Sequence, residues 1–189
     1  MNGEMNLSQI EDDLKEHLDE KRYQHTVNVM LTAASLAMCH GEDLDKALLA
    51  GLLHDCTKYM TEDEHRSFCM EHGAELTDVE KENRHLLHAR TGAIAAKERY
   101  GVEDEDILNA IRSHTTGRAG MSLLEKIIFV ADYIEPGRKA LEGIDEVRYL
   151  AFHDLDRCIH LISGHTLEYL RRNGSVIDPR TSETYQYYQ

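Results

Sequence analysis

Tryptophan is absent from this 189-residue chain, and proline occurs only twice. With helix breakers this scarce and Leu, Ala, Glu and Lys abundant, the composition points to helices. No run of about 18 apolar residues is present, which argues against a membrane-spanning helix. The first residues, Met1 to Asn6, lack both the basic region and the apolar run of a secretory leader, so the expected location is the cytoplasm. No segment alternates apolar and polar residues with β-branched enrichment, so no strand is expected. The four cysteines, Cys39, Cys56, Cys69 and Cys158, form no Cys-x-x-Cys pair. That spacing excludes a zinc ribbon and a thioredoxin-type motif, leaving free thiols in a reducing compartment. Positive charge is also short: 21 Lys and Arg face 35 Asp and Glu, for a net charge of -14. Nucleic acid and anionic membranes are therefore disfavoured as partners. A phosphate substrate would have to be drawn by a local basic site.

What the chain does contain is histidine, twelve in all, the first compositional hint of metal chemistry. Helix starts recur as Ser or Thr followed three residues later by Glu, at Ser8/Glu11, Thr61/Glu64, Thr77/Glu80 and Ser122/Glu125. Helices are predicted at about 8–18, 22–40, 44–55, 61–72, 77–100 with a break near Arg84, 104–115, 121–134 and 145–172. Glycines 41, 73, 101, 117 and 174 fall where these helices need to stop. The reading is one all-α domain over 1–189, a bundle of roughly eight helices with its core at about 22–172. The polar, tyrosine-rich end from Thr181 to Gln189 is expected to be loosely ordered.

The most telling stretch is Ala50-Gly51-Leu52-Leu53-His54-Asp55-Cys56-Thr57-Lys58, an apolar run ending in an imidazole beside a carboxylate. Both groups ligate borderline-to-hard divalent metals. An ionised Asp at the end of such a run must be paired or coordinated. By helical spacing His114 shares the face of Ile107 and Ile111, and His88 shares that of Gly92 and Ala95. Each histidine alone reads as a hydrogen-bonded core residue or as a ligand. Asp132 sharpens the choice, because it ends the run Ile127 to Ala131 four residues after Ile128. A carboxylate closing an apolar helix face caps a neighbour, pairs with a basic group, or serves a site inside a bundle. His25 lies on a mixed face with Asn28, Val29 and Thr32 and is not selected by periodicity.

An isolated His, then His-Asp, then a distant Asp resembles the HD-domain metal-dependent phosphohydrolases; His25, His54-Asp55 and Asp132 stand in that order. Longer phrases carry more: Leu52 to Lys58, Ala110-Ile111-Arg112-Ser113-His114-Thr115-Thr116-Gly117-Arg118, and Ala131-Asp132-Tyr133-Ile134-Glu135-Pro136-Gly137-Arg138. Together they look like the YqeK-type branch, described as symmetrical diadenosine tetraphosphatases, over about Arg22 to Arg180. The resemblance implies an all-helical domain holding two divalent metal ions, iron in that branch. His25, His54, Asp55 and Asp132 would ligate one ion, and His88 and His114 the other, with Asp55 bridging. Arg22, His25, His114, Thr115, Arg138 and the segment Val176, Ile177, Asp178, Pro179, Arg180 and Thr181 match positions that contact the nucleotide. Two phrases depart from the family pattern. After His88 the family usually has Gly-Pro-Val-Gly, where this chain has Ala89-Arg90-Thr91-Gly92. Near the end the family usually has His-Pro and then Ala-Arg-Asn, where this chain has Asp178-Pro179-Arg180-Thr181 followed by Ser182-Glu183-Thr184.

Opening a phosphoanhydride needs a nucleophile at neutral pH and neutralisation of charge on phosphoryl oxygens, which two metals together supply. A mixed His and Asp set suits iron, manganese or zinc better than magnesium or calcium. Asp55 and Asp132 are the catalytic carboxylates on this reading. Lys58 either steadies a leaving phosphate or is a solvated lysine past the helix end. Arg118 and Arg138 follow His114 and Asp132 by four and six residues, placed to grip phosphate in a bidentate fork. Arg138 is preferred, since Pro136-Gly137 would turn its backbone towards the site. The expected activity is symmetrical hydrolysis of diadenosine tetraphosphate, and related dinucleoside polyphosphates, to two ADP. Other nucleotide or phosphomonoester hydrolysis, di-iron oxidation and nucleotide sensing without turnover are the alternatives.

Overall fold

The computed structural model describes residues 6–138 and 143–189. Among the described residues there are eleven α-helices and no strand. They are α1 Leu7–His17, α2 Glu20–His40, α3 Leu44–Leu53, α4 Glu62–Glu71, α5 Asp78–Glu82 and α6 Leu87–Glu98. After these come α7 Glu105–Ser113, α8 Leu123–Ile134, α9 Ile144–Ala151, α10 Leu155–Arg172 and α11 Pro179–Tyr187. Among the described residues no helix is long and apolar enough to cross a membrane. All four cysteines are free thiols.

Local sequence sets most of the boundaries. Reciprocal capping boxes form at Thr61/Glu64, Thr77/Glu80 and Ser122/Glu125, where side chains satisfy otherwise orphaned N–H groups. The first helix starts two residues earlier than Ser8/Glu11 suggests, because Asn6 and Gln9 form the box instead. The predicted helix over 77–100 is interrupted by a 3-10 turn at Arg84–Leu86. The predicted helix over 145–172 splits in two, since Asp154 accepts the Arg157 N–H and caps α10.

The C-terminal end corrects the expectation of loose order. Asp178 caps α11 and Pro179 occupies its first turn, where a missing N–H costs nothing. The Tyr188 hydroxyl accepts the Met121 N–H at 2.8 Å, and Thr184 Oγ1 donates to the Thr116 carbonyl at 3.1 Å. Gly117, at φ +64°, gives Thr184 room, since a Cβ there would lie 2.7 Å from the Thr184 methyl. These tyrosine and threonine contacts seat α11 against the turn that follows α7.

Helix α8 runs through the centre, touching α2, α3, α7, α9 and α10. Leu124, Ile127, Ile128, Val130 and Ala131 on it are fully buried, as befits a helix apolar on nearly every side. Helices α2 and α3 share the most extensive helix–helix contact among the described residues. A Cβ on Gly51 would stand 2.8 Å from Met30 Cα, so only glycine permits that crossing. This contact brings the start of α2 beside the end of α3, where His54 lies.

Two stability predictions arise here. Gly51→Ala gains helix propensity but must push backbone apart, so a net loss of about 1–3 kcal/mol is expected, read from urea midpoints. His65 is buried on Thr91 Oγ1 at 2.8 Å; burial first and the Lys58 charge second push its pKa down to about 4. Its folded pKa lies below its unfolded value near 6.5, so the unfolded chain binds more protons between these limits. Stability should therefore fall as pH drops from 6.5 towards 4. The slope of stability against pH should become shallower in His65→Gln, and an unchanged slope would contradict the assignment.

Candidate metal centre

Five helices deliver the polar groups that meet in this otherwise apolar core. His25 lies in the second turn of α2, and His54 caps the end of α3 with Asp55 next to it. His88 is in the first turn of α6, His114 caps α7, and Asp132 is in the last turn of α8. Gly92 helps α6 come close: a Cβ there would sit 3.3 Å from Ile111 Cγ2 and 3.4 Å from the His54 carbonyl.

Each imidazole is oriented through its Nδ1 atom. The Nδ1–H of His54 donates to the Gly51 carbonyl at 2.8 Å, and that of His114 to the Ile111 carbonyl at 2.7 Å. His88 donates to the His85 carbonyl in the same way. A carbonyl only accepts, so the proton must be on Nδ1 and the Nε2 lone pair is left free. His25 Nδ1 instead meets a carboxylate, Glu135 Oε1, at 3.0 Å.

The Nε2 atoms converge in two pairs on the two oxygens of Asp55. His88 and His114 Nε2 stand 3.1 Å apart and lie 3.4 and 3.6 Å from Asp55 Oδ1. His25 and His54 Nε2 stand 3.3 Å apart and lie 3.9 and 3.7 Å from Asp55 Oδ2. Asp132 Oδ1 joins the second pair, 3.0 Å from His25 Nε2 and 3.8 Å from His54 Nε2. Bare lone pairs at such separations repel unless a proton or a metal cation lies among them. Asp55 Oδ1 is buried and has no hydrogen-bond partner, which is costly for a carboxylate oxygen. Two donor groups, His25–His54–Asp55 and Asp55–His88–His114, each gather within 4.8 Å. Imidazole nitrogen and carboxylate oxygen in this ratio fit a divalent transition metal in each group.

The electrostatics favour neutral imidazole at His54 and His88 and ionised carboxylate at Asp55 and Asp132. Burial pushes His54 down to about 4 and holds His88 well below its ordinary value. Burial alone would raise Asp55, but His54, His114, Lys58 and His88 outweigh it and keep its carboxyl well below the usual range. The same balance, led by the His25 hydrogen bond and the Arg138 charge, holds Asp132 down. For His25, burial works to lower the pKa, but bonds to Asp132 and Glu135 raise it.

Around this cluster the cations are arranged unevenly. Arg22 donates to Asp55 Oδ2 at 2.7 Å, and Arg138 to Asp132 Oδ1 at 2.6 Å. Both line a cavity of about 600 Å3 together with His25, Asn28 and Glu135. Lys58 Nζ stands 3.8 Å from Asp55 Oδ1, its pKa lowered chiefly by burial. Thr115 Oγ1 lies 3.2 Å from His88 Nε2 and 3.1 Å from His114 Nε2. It also lines a second, smaller cavity with Arg90, Arg112 and Arg180.

Other residues named from the sequence have partners of their own or are exposed. Arg118 turns to the buried Glu125, with Nε 2.6 Å from Oε1, and makes no bond to the cluster. Asp178 is buried as the α11 cap and pairs with Arg180, while Val176 is exposed. The residue that sequence reading passed over is Glu135, which binds His25, Asn28 Nδ2 at 2.9 Å and the Gly137 N–H. A carboxylate behind a ligating histidine fixes ring orientation and raises basicity. Its only sequence signal is an acid three residues after Asp132, one turn along the same helix.

Comparison with known proteins agrees with this geometry. The HD domain family model matches residues 22–137, from before His25 to beyond Asp132. The symmetrical bis(5'-nucleosyl)-tetraphosphatase of Halalkalibacterium halodurans is 46% identical over 91% of each chain. Its namesake from Bacillus subtilis is 44% identical over 92% of each. A crystal structure from Clostridium acetobutylicum, described as a predicted HD superfamily hydrolase involved in NAD metabolism, covers 98% of both chains. It superposes with a TM-score of 0.95 at 44% identity. By its helical scaffold, its paired histidines around one carboxylate and these matches, the chain belongs to the HD-domain family of metal-dependent phosphohydrolases.

Proposed function

We propose that this protein hydrolyses diadenosine tetraphosphate, and related dinucleoside polyphosphates, symmetrically to two nucleoside diphosphates. The observation that carries this reading is Asp55, whose two oxygens face separate pairs of imidazoles. The tetraphosphatase relatives, nearly full-length matches, supply the substrate class. His25, His54, Asp55 and Asp132 would hold one divalent ion, and Asp55, His88 and His114 the other. Two such ions, once bound, lower the pKa of water and draw charge from phosphoryl oxygens. We take them to be iron, from the family resemblance, though the donor set also accepts manganese or zinc.

The chain's own residues do the remaining work. Arg22 and Arg138 make a basic wall on the larger cavity, and guanidinium forks match phosphate oxygens. That wall answers how a protein of net charge -14 attracts a polyphosphate. Lys58 holds a proton beside the bridging carboxylate, where the leaving diphosphate gathers charge. Thr115 offers a hydroxyl beside His88 and His114. His54, Asp55, His88 and His114 are almost wholly buried, which shields these side chains themselves from bulk water.

Incubating metal-loaded protein with diadenosine tetraphosphate should give ADP alone; ATP with AMP, or no cleavage, would overturn the proposal. Asp55→Ala should lose both bound ions and turnover, and an Asp55→Ala protein that still holds two ions would sink the bridging role. Arg138→Lys keeps the charge but loses the fork, so kcat/KM should fall about tenfold, a loss in the range for one charged hydrogen bond. Metal content should be unchanged in that variant, as measured by elemental analysis.

A further inference from the structure

Two arginines that line the smaller cavity belong to this chain's own departures from the family pattern. Arg90 stands where the family phrase after the histidine usually has proline, and Arg180 follows Asp178-Pro179 in the altered C-terminal phrase. In the structure these two meet across a single carboxylate, Glu80.

Glu80 is 2% exposed. Its Oε2 accepts the Thr77 N–H at 2.9 Å as part of the α5 capping box. Arg90 reaches across from α6 with Nε 3.2 Å from Oε1 and one terminal nitrogen 3.0 Å from both oxygens. Arg180 approaches from α11, its terminal nitrogen 3.6 Å from Glu80 Oε1. On its other side Arg180 grips Asp178 with two bonds, at 3.0 and 2.8 Å. The order Arg90, Glu80, Arg180, Asp178 alternates in sign and links α6, α5 and the start of α11. Farther along, α11 is also held by Thr184 and Tyr188 and by its packing on α10, where His160 stacks on Tyr185 and bonds its carbonyl.

One side of that clasp faces the cavity. Arg90, Arg180 and Glu80 line it with Arg112, Thr115 and Thr116. Thr115 in turn touches the ligand atoms of His88 and His114. A nucleoside diphosphate end of the substrate, lying beside that histidine pair, would meet Arg180 at the cavity wall. Without the Glu80 charge, Arg90 would lose its carboxylate partner and would face Arg180 with only Asp178 left to offset the pair, loosening the wall.

We propose that Glu80 and Arg90 are positioning residues that hold Arg180 against one diphosphate end of the substrate. They act on binding, not on the chemical step. The inference rests on the functional reading above for its ligand class.

The test uses full-length, metal-loaded Glu80→Gln, which keeps an acceptor for Thr77 but removes the charge. KM for diadenosine tetraphosphate and Kd for ADP by calorimetry should both rise about tenfold, as expected for loss of one charge-assisted contact. The kcat value should stay within about twofold, since no group at the phosphorus has moved. In an Arg180→Ala background the same change should add nothing, because Glu80 acts through Arg180. If Glu80→Gln fails to fold, Arg90→Gln is expected to raise KM and Kd in the same direction. Unchanged KM and Kd, an equal fall in kcat, or full additivity with Arg180→Ala would overturn the clasp while leaving the hydrolase reading intact. A wild-type protein that neither cleaves the substrate nor binds ADP overturns the functional reading and the inference together.

Discussion

Everything in this molecule depends on four imidazole rings being held by Nδ1 so that their Nε2 lone pairs point at one buried carboxylate. Without a cation that arrangement is electrostatically strained, with lone pairs 3.1 and 3.3 Å apart and an Asp55 oxygen that lacks a hydrogen bond. The surrounding helices can sustain the strain because they are packed tightly where it acts. Gly51 lets α3 press on α2, and Gly92 lets α6 press on α3 and α7. A side chain at Gly51 would force the α2 and α3 backbones apart, and one at Gly92 would need its neighbours to give by a few tenths of an ångström.

The charges outside the core follow from the same constraint. A net charge of -14 would repel a polyphosphate, and only local cations reverse that. Arg22 and Arg138 stand on the carboxylates of one side, while Arg90 and Arg180 are held on the other through Glu80. Each guanidinium has an acidic partner within the protein.

Much of this was legible in the sequence, and the reasons differ by residue. His88, His114 and Asp132 stood out because polar groups on apolar helix faces break a 3.6-residue pattern. His25 did not, since its face is mixed, and only the order of motifs selected it. Glu135 escaped because it acts across 110 residues on His25, a relation that no local period encodes. Arg118 shows the opposite difficulty. It lies four residues past His114, but α7 has already ended and Gly117 turns the chain, so helical spacing no longer places it near the site. The polar composition of the C-terminal residues suggested looseness, whereas Asp178, Pro179, Thr184 and Tyr188 build and seat a helix there. The split of α9 from α10 was hidden because Asp154 reads equally well as a helix-surface acid and as a cap.

The Nδ1 partners carry an evolutionary consequence. His54, His88 and His114 each bond a main-chain carbonyl three residues back, an acceptor present whatever side chain occupies that position. His25 alone leans on a side chain, Glu135, which is itself held by Asn28 and the Gly137 N–H. Mutation can therefore retune the basicity of one half of the centre through Glu135 or Asn28. It has no comparable handle on the other half. Divergence in metal preference within such a scaffold has one side on which to act, the side that carries His25.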